Sequence, residues 1–148
     1  DPRRSRPLMA PACVLDASAA VRLIAGDPTS TSLVVPIREA ALVLAPELML
    51  TEVANTLWKL QRADRLMGFE PQQLLVDARD LVDEIVPDRQ LHAEALALAA
   101  HLDHPVVDCL YLALARREAA TLITADRRLQ QLGQGFWRSC PELLRVLP

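Results

Sequence analysis

Four carboxylates abut the most hydrophobic segments of this chain, and a fold has to account for all four at once. Asp16 ends the run Ala12-Cys13-Val14-Leu15, and Glu52 follows Leu48-Met49-Leu50-Thr51. Asp108 lies inside Val106-Val107-Asp108-Cys109-Leu110-Tyr111-Leu112, and Asp126 closes Thr121-Leu122-Ile123-Thr124-Ala125. A single acid beside a core segment has a local explanation. Four invite a shared one, which is convergence on a metal ion.

The segments around them alternate between short apolar runs and amphipathic stretches. Strands are expected at 12–16, 41–44, 85–86 and 121–125, with a further edge strand at 143–147. Helices are expected at 18–25, 32–40, 50–63, 71–83, 91–102, 106–119 and 127–132, the last ending before Gly133-Gln134-Gly135. The helix at 106–119 is apolar on nearly every side and should be central and buried. Such βα alternation predicts an α/β, three-layer domain with a parallel sheet, whose ligand site lies beyond the carboxyl ends of the strands. On this reading Asp16 and Asp126 end strands, while Glu52 and Asp108 fall in the first turns of helices. Strand ends and helix starts share one rim of a parallel sheet, so the four acids can meet there.

Each acid also has a local role open to it. Asp16 and Asp126 are placed to cap the helices that follow them, and Glu52 and Asp108 to answer a helix dipole. As a group they are harder to accommodate. Two carboxylates about 4 Å apart repel by ~4 kcal/mol at an effective dielectric near 20, so a cluster must bind protons or a cation. An all-oxygen site without a suitable His or Cys fits Mg²⁺ or Mn²⁺.

Other chemistry is thinly represented. With 148 residues, the chain is long enough to bury about 68–70% of its unfolded surface as one domain. Its 51% hydrophobic content contains only 3% aromatics, so the core is mainly Leu, Val and Ala. No apolar run approaches the ~20 residues of a membrane span, and the basic start, Asp1 to Pro7, lacks the apolar centre of a signal peptide. A cytoplasmic protein is expected, with residues 1–11 an N-terminal extension and those before Met9 a cloning remnant or trimmed leader. The domain proper is expected over 12–148. Cys13, Cys109 and Cys140 offer no C-x-x-C spacing and read as reduced thiols. Neither a P-loop nor a dinucleotide fingerprint is present, and Ser18 has no nucleophile elbow. His101 and His104, three apart, read as a polar helix end, and Trp58 and Trp137 as core or interface anchors. The net charge of −3 argues weakly against nucleic acid, but Arg127 and Arg128 follow Asp126 directly. Paired arginines suit phosphate, and equally a solvated helix face.

Four motifs, in this order and spacing, resemble the PIN domain family, and within it the VapC-type toxins. They are Val14-Leu15-Asp16-Ala17-Ser18, Glu52-Val53-Ala54-Asn55, Asp108-Cys109-Leu110-Tyr111-Leu112-Ala113, and Ile123-Thr124-Ala125-Asp126-Arg127-Arg128. The family often has Ala where this chain has Cys109. The resemblance implies a central parallel sheet of about five strands flanked by helices, and an Mg²⁺- or Mn²⁺-dependent endoribonuclease. Asp16, Asp108 and Asp126 would hold the metal directly or through water. Glu52 would join them through the outer coordination sphere or by orienting the attacking water. Ser18, Asn55 and Thr124 would steady these acids, and Arg127 and Arg128 would contact RNA. The resemblance further implies a homodimer and a VapB-like antitoxin. A housekeeping RNA-processing nuclease would share the site without the antitoxin. A non-catalytic α/β binding module or receiver-type phosphoacceptor is the alternative from another class. The receiver type wants a Lys at a strand end facing the acids, whereas the sole lysine, Lys59, falls mid-helix.

Overall fold

The computed structural model describes residues 11–139 and 145–146. Residues 1–10 of the expected extension over 1–11, and Cys140, lie outside them. Five parallel strands form one sheet in the order β3-β2-β1-β4-β5. They are β1 (Cys13–Leu15), β2 (Val43–Pro46), β3 (Glu84–Val86), β4 (Thr121–Ile123) and the two-residue β5 (Arg145–Val146). Among the described residues seven α-helices surround them: α1 (Ala17–Ile24), α2 (Thr31–Glu39), α3 (Leu48–Arg62), α4 (Pro71–Asp80), α5 (His92–Leu102), α6 (Val106–Arg117) and α7 (Arg127–Ser139).

The central strands β1 and β2 are short and wholly apolar because they are buried on both faces. All three residues of β1 are buried, and Val14 pairs in register with Leu44 on one side and Leu122 on the other. From β1 the chain runs outward to β2 and β3, then crosses back to β4 on the opposite side. The order therefore reverses between β1 and β4, and a crevice opens at their carboxyl ends. The backbone is tied across that gap, with Asp16 N donating to Ile123 O at 3.1 Å.

The core is concentrated on α6, where every residue from Cys109 to Ala115 is buried. This central helix packs against β1, β2 and β4, and α5 packs on it in turn. The periodicity had predicted this: α6 is apolar all round because it has no solvent face along most of its length. A second group, α1, α3 and α4, packs together. Pro71 opens α4 at a position where its missing N–H costs nothing. Asp103, in the left-handed region at φ 51°, ends α5 just before Pro105 starts the turn into α6.

Most element ends lie within one to three residues of the sequence expectation, and three of the differences have a clear physical reason. The second strand runs to Pro46, which pairs with Val86 as the last residue of β2, where its lack of a donor is harmless. The following helix starts at Leu48, two residues early. The Asp88 carboxylate accepts from Leu48 N at 3.1 Å, and Glu47 accepts from Asp88 N at 2.9 Å, which stabilises an earlier start. Glu52 is thus one turn inside α3, and α3 has no acid in its first turn. The last helix does not stop at 132 but continues through Gly133 and Gly135 to Ser139. A glycine inside a helix costs only about 1 kcal/mol, and burial of Leu129 with Leu132 packed on the core outweighs the stop signal.

Candidate active site

Four elements deliver the four acids to one cleft of about 240 Å³, lined by Asp16, Ala17, Ser18, Glu52, Asn55, Thr56, Lys59, Asp108, Tyr111 and Asp126. It lies at the carboxyl ends of β1 and β4, where the sheet order reverses. Asp16 and Asp126 arrive from the residues just beyond these strands. Asp108 stands in the first turn of α6, and Glu52 projects from the second turn of α3.

The floor is built around Asp16, which is 4% exposed. It is the N-cap of α1, its Oδ1 accepting from Ala19 N at 2.9 Å and from Ser18 Oγ at 2.8 Å. Its Oδ2 accepts from Thr124 Oγ1 at 2.5 Å. Burial pushes the Asp16 carboxyl up to about 6, partly offset by the bonds from Thr124, Ala19 and Ser18, with Glu52's charge adding a little. The expected local roles and the shared one therefore coexist. Asp126 likewise caps α7, its Oδ1 accepting from Arg128 N at 2.9 Å, while Thr124 Oγ1 accepts from Asp126 N at 3.0 Å. Thr124, itself 2% exposed, touches both acids and Ser18, so one hydroxyl ties the ends of β1 and β4 together.

The rim is held differently. Asp108 Oδ2 lies 2.6 Å from His104 Nε2 and accepts from Arg128 Nη2 at 3.2 Å. Glu52 Oε1 accepts from the buried Tyr111 hydroxyl at 2.5 Å. Burial raises the Glu52 carboxyl, the Tyr111 bond lowers it, and the charges of Asp108 and Asp126 raise it again. Burial also drives the Tyr111 hydroxyl far above its usual range, so it stays protonated and keeps donating. Burial is the main cause of both shifts, and the smaller push from neighbouring carboxylates, Glu52 on Asp16 and Asp108 with Asp126 on Glu52, is that of a cleft short of positive charge.

That donor chemistry suits a hard divalent cation. Among the described residues no three His, Cys, Asp or Glu side chains are gathered tightly enough to enclose an ion directly. Mg²⁺ does not require such a cage, because it keeps several waters and takes one or two carboxylates. A cleft of this volume between separated carboxylates leaves room for those waters, and Asp16, Asp108 and Asp126 are the residues that would hold the ion.

Of the other residues singled out from sequence, Ser18 and Asn55 line the cleft and Thr124 lies beneath it. Ser18 Oγ also accepts from Ala125 N at 3.0 Å. Arg128 reaches Asp108, while Arg127 is exposed at the start of α7. Trp58 is not a core anchor: it is half-exposed on α3, with the Arg62 guanidinium 5.0 Å above its ring. Trp137 has a side chain outside the described set. Sequence reasoning missed Tyr111, His104 and Lys59. Tyr111 is three residues after Asp108, on the same face of α6, and Lys59 is seven after Glu52, two turns along α3. Their signal was helical spacing from an acid already identified. His104 precedes α6 across Pro105, and nothing in its spacing marks it.

The matches to known proteins span the stretch of chain that carries these residues. The PIN domain family profile matches residues 13–134. The chain is 31% identical over 135 residues to VapC ribonuclease Mb0985 of Mycobacterium bovis and to ribonuclease VapC9 of Mycobacterium tuberculosis, covering 91% of this chain and 98% of each relative. Among solved structures it resembles PAE2754 from Pyrobaculum aerophilum, with TM-score 0.62 and 22% identity over 85% of this chain and 87% of that one. It also resembles VapBC2 from Rickettsia felis, solved bound to a promoter DNA fragment, with TM-score 0.55 and 16% identity over 91% and 98% of the two chains. With the profile spanning every one of the four acids and the sheet order that brings them together, the chain belongs to the PIN domain family.

Proposed function

We propose that the chain is an endoribonuclease, the toxin of a VapBC-type toxin–antitoxin pair, using Mg²⁺ or Mn²⁺ held by Asp16, Asp108 and Asp126. The observation that carries this reading is the meeting of four carboxylates from four elements in one cleft at the β1/β4 crossover. The VapC ribonucleases that the chain resembles over nearly its whole length support the substrate class.

When bound, such a cation supplies Lewis-acid polarisation of a phosphoryl oxygen and lowers the pKa of a water molecule. The protein's own groups do the rest. Asp16 is fixed by Thr124, Ser18 and the Ala19 N–H, so it arrives already oriented. Glu52, anchored through Oε1 by Tyr111, has Oε2 left to take a proton from the attacking water. The upward pressure on its carboxyl makes it a better base than a solvated glutamate. Asp108, held here by His104 and Arg128, would have to give up part of that contact to join in holding the cation. Arg128, whose side chain is exposed, and Arg127 beside it would then be free to meet the RNA backbone, where guanidinium grips phosphate bidentately.

The same reading brings a VapB-like antitoxin, a homodimer and a cytoplasmic site of action; among the described residues no helix is long and apolar enough to cross a membrane. Induced expression without a partner should arrest growth, with RNA cleaved at discrete positions when fragment ends are sequenced soon after induction. Co-expression of the product of an adjacent antitoxin reading frame should relieve the arrest. A folded Asp108→Asn variant that arrests growth as strongly as the parent would refute the assignment. Arrest with no adjacent partner able to relieve it would favour a housekeeping nuclease.

A further inference from the structure

Lys59 is the only lysine in the chain, and α3 turns it into the acid cleft. At 3.6 residues per turn, Glu52, Asn55, Thr56 and Lys59 form one stripe, and all four line the cleft with Asp16, Asp108 and Asp126. The neighbouring cationic side chains are engaged. Arg128 donates to Asp108 at 3.2 Å, and Arg62 stacks over Trp58. Lys59 is exposed, and among the described residues no hydrogen bond or ion pair holds its ammonium.

An ammonium at the mouth of a cleft with four carboxylates, yet in ion-pair reach of none, is not committed to neutralising them. The group it can meet there is an anion arriving from solvent. A polyanion entering such a cleft meets strong repulsion, which a cation at the lip offsets locally. A lysine suits this place because its charge is compact and its three donors rotate on a flexible stem, so it can follow a backbone phosphate. We propose that Lys59 is a substrate-binding residue that holds a backbone phosphate of the RNA at the α3 lip of the cleft. This rests on the ribonuclease reading and adds to it the side on which the strand enters: it passes over α3 before reaching the acids.

The test uses the full chain carrying Asp16→Asn to suppress cleavage, with Mg²⁺ present and a short fluorescein-labelled single-stranded RNA of mixed sequence as probe. Affinity is measured by anisotropy across a potassium chloride series for three proteins: the Asp16→Asn parent, and the same chain with Lys59→Met or Lys59→Arg. Lys59→Met should weaken binding about threefold to tenfold at low salt and reduce the slope of log affinity against log salt by about 0.7, the value for one single-strand phosphate contact. Lys59→Arg should retain most of both. In the otherwise unaltered chain, Lys59→Met should raise KM for RNA cleavage far more than it lowers kcat. Unchanged affinity and slope in Lys59→Met would overturn the proposal, as would an equal loss in Lys59→Arg. A lack of any RNA cleavage by the unaltered chain in Mg²⁺ would instead overturn the ribonuclease reading, and this proposal with it.

Discussion

Asp16 and Asp108 bring the same carboxylate to the same cleft and are held in opposite ways. Asp16 is buried, and its partners are two neutral hydroxyls and a backbone N–H. Asp108 stands at the rim beside an imidazole and a guanidinium. Burial leaves Asp16 reluctant to ionise, with its pKa up at about 6. Asp108 has cationic or polarisable partners that can swing away, since the Arg128 side chain is 69% exposed. The floor is thus preorganised and poorly compensated, while the rim is compensated and adjustable. A cation held in the cleft would supply the positive charge that the floor lacks and compete with the partners that the rim already has.

The largest expected consequence is stabilisation by metal. A cation that binds only the folded chain adds ~2.7 kcal/mol at a hundredfold excess over Kd, or roughly 5–10 °C in Tm for a domain of this size. Differential scanning fluorimetry in millimolar Mn²⁺ should record that rise, a chelator should reverse it, and an Asp16→Asn, Asp108→Asn double variant should lack it. A melting curve indifferent to saturating Mn²⁺ would remove the cation from the comparison.

The contrast between floor and rim is sharpened by two substitutions measured in urea without metal. Thr124→Val preserves shape but removes the hydroxyl shared by Asp16, Ser18 and Asp126, leaving buried polar groups unsatisfied, at a cost of about 1–3 kcal/mol. Arg128→Ala removes an exposed partner and should change stability by no more than about 0.5 kcal/mol. Equal losses would mean that the two regions are not held differently.

Acidity gives a smaller effect with a definite sign. Asp16's carboxyl titrates near 6 in the folded chain and near 3.8 unfolded, so between these values the folded state binds more protons. Stability of the metal-free chain therefore rises as pH falls through 6, by about 1 kcal/mol between pH 7 and 5.5. Glu52, raised in the same direction, adds to it. Thermal melts in chelator should follow this trend, and Asp16→Asn should remove most of it. A loss of stability over that interval would contradict the account of the floor.

Much of this was legible in the sequence because the acids interrupt apolar runs, and apolar runs in a parallel sheet point their carboxyl ends at one rim. The helix starts were less legible. Glu52 is expected in a first turn because the apolar spacing starts the helix at residue 50; the helix begins two residues earlier, through hydrogen bonds that Leu48 and Glu47 exchange with Asp88, 41 residues away from Glu47. The α7 glycines looked like a stop because local propensity outranked the burial of Leu129, which depends on the tertiary fold. Lys59 was dismissed as mid-helix when its phase relative to Glu52 already directed it to the acids. Of the groups that complete the site, only His104 required the folded chain to be seen at all.

The central claim is that four carboxylates act as one divalent-cation site for RNA hydrolysis. Its most direct test is the rate of cleavage of a single-stranded RNA against Mn²⁺ concentration, for the unaltered chain and for Asp16→Asn, Glu52→Gln, Asp108→Asn and Asp126→Asn, each verified as folded by circular dichroism. Cleavage should depend on the metal and stop in chelator, and each variant should lose about a hundredfold or more, the several kcal/mol expected of metal-site chemistry. Undiminished cleavage by folded Asp16→Asn or Asp108→Asn would contradict the central claim.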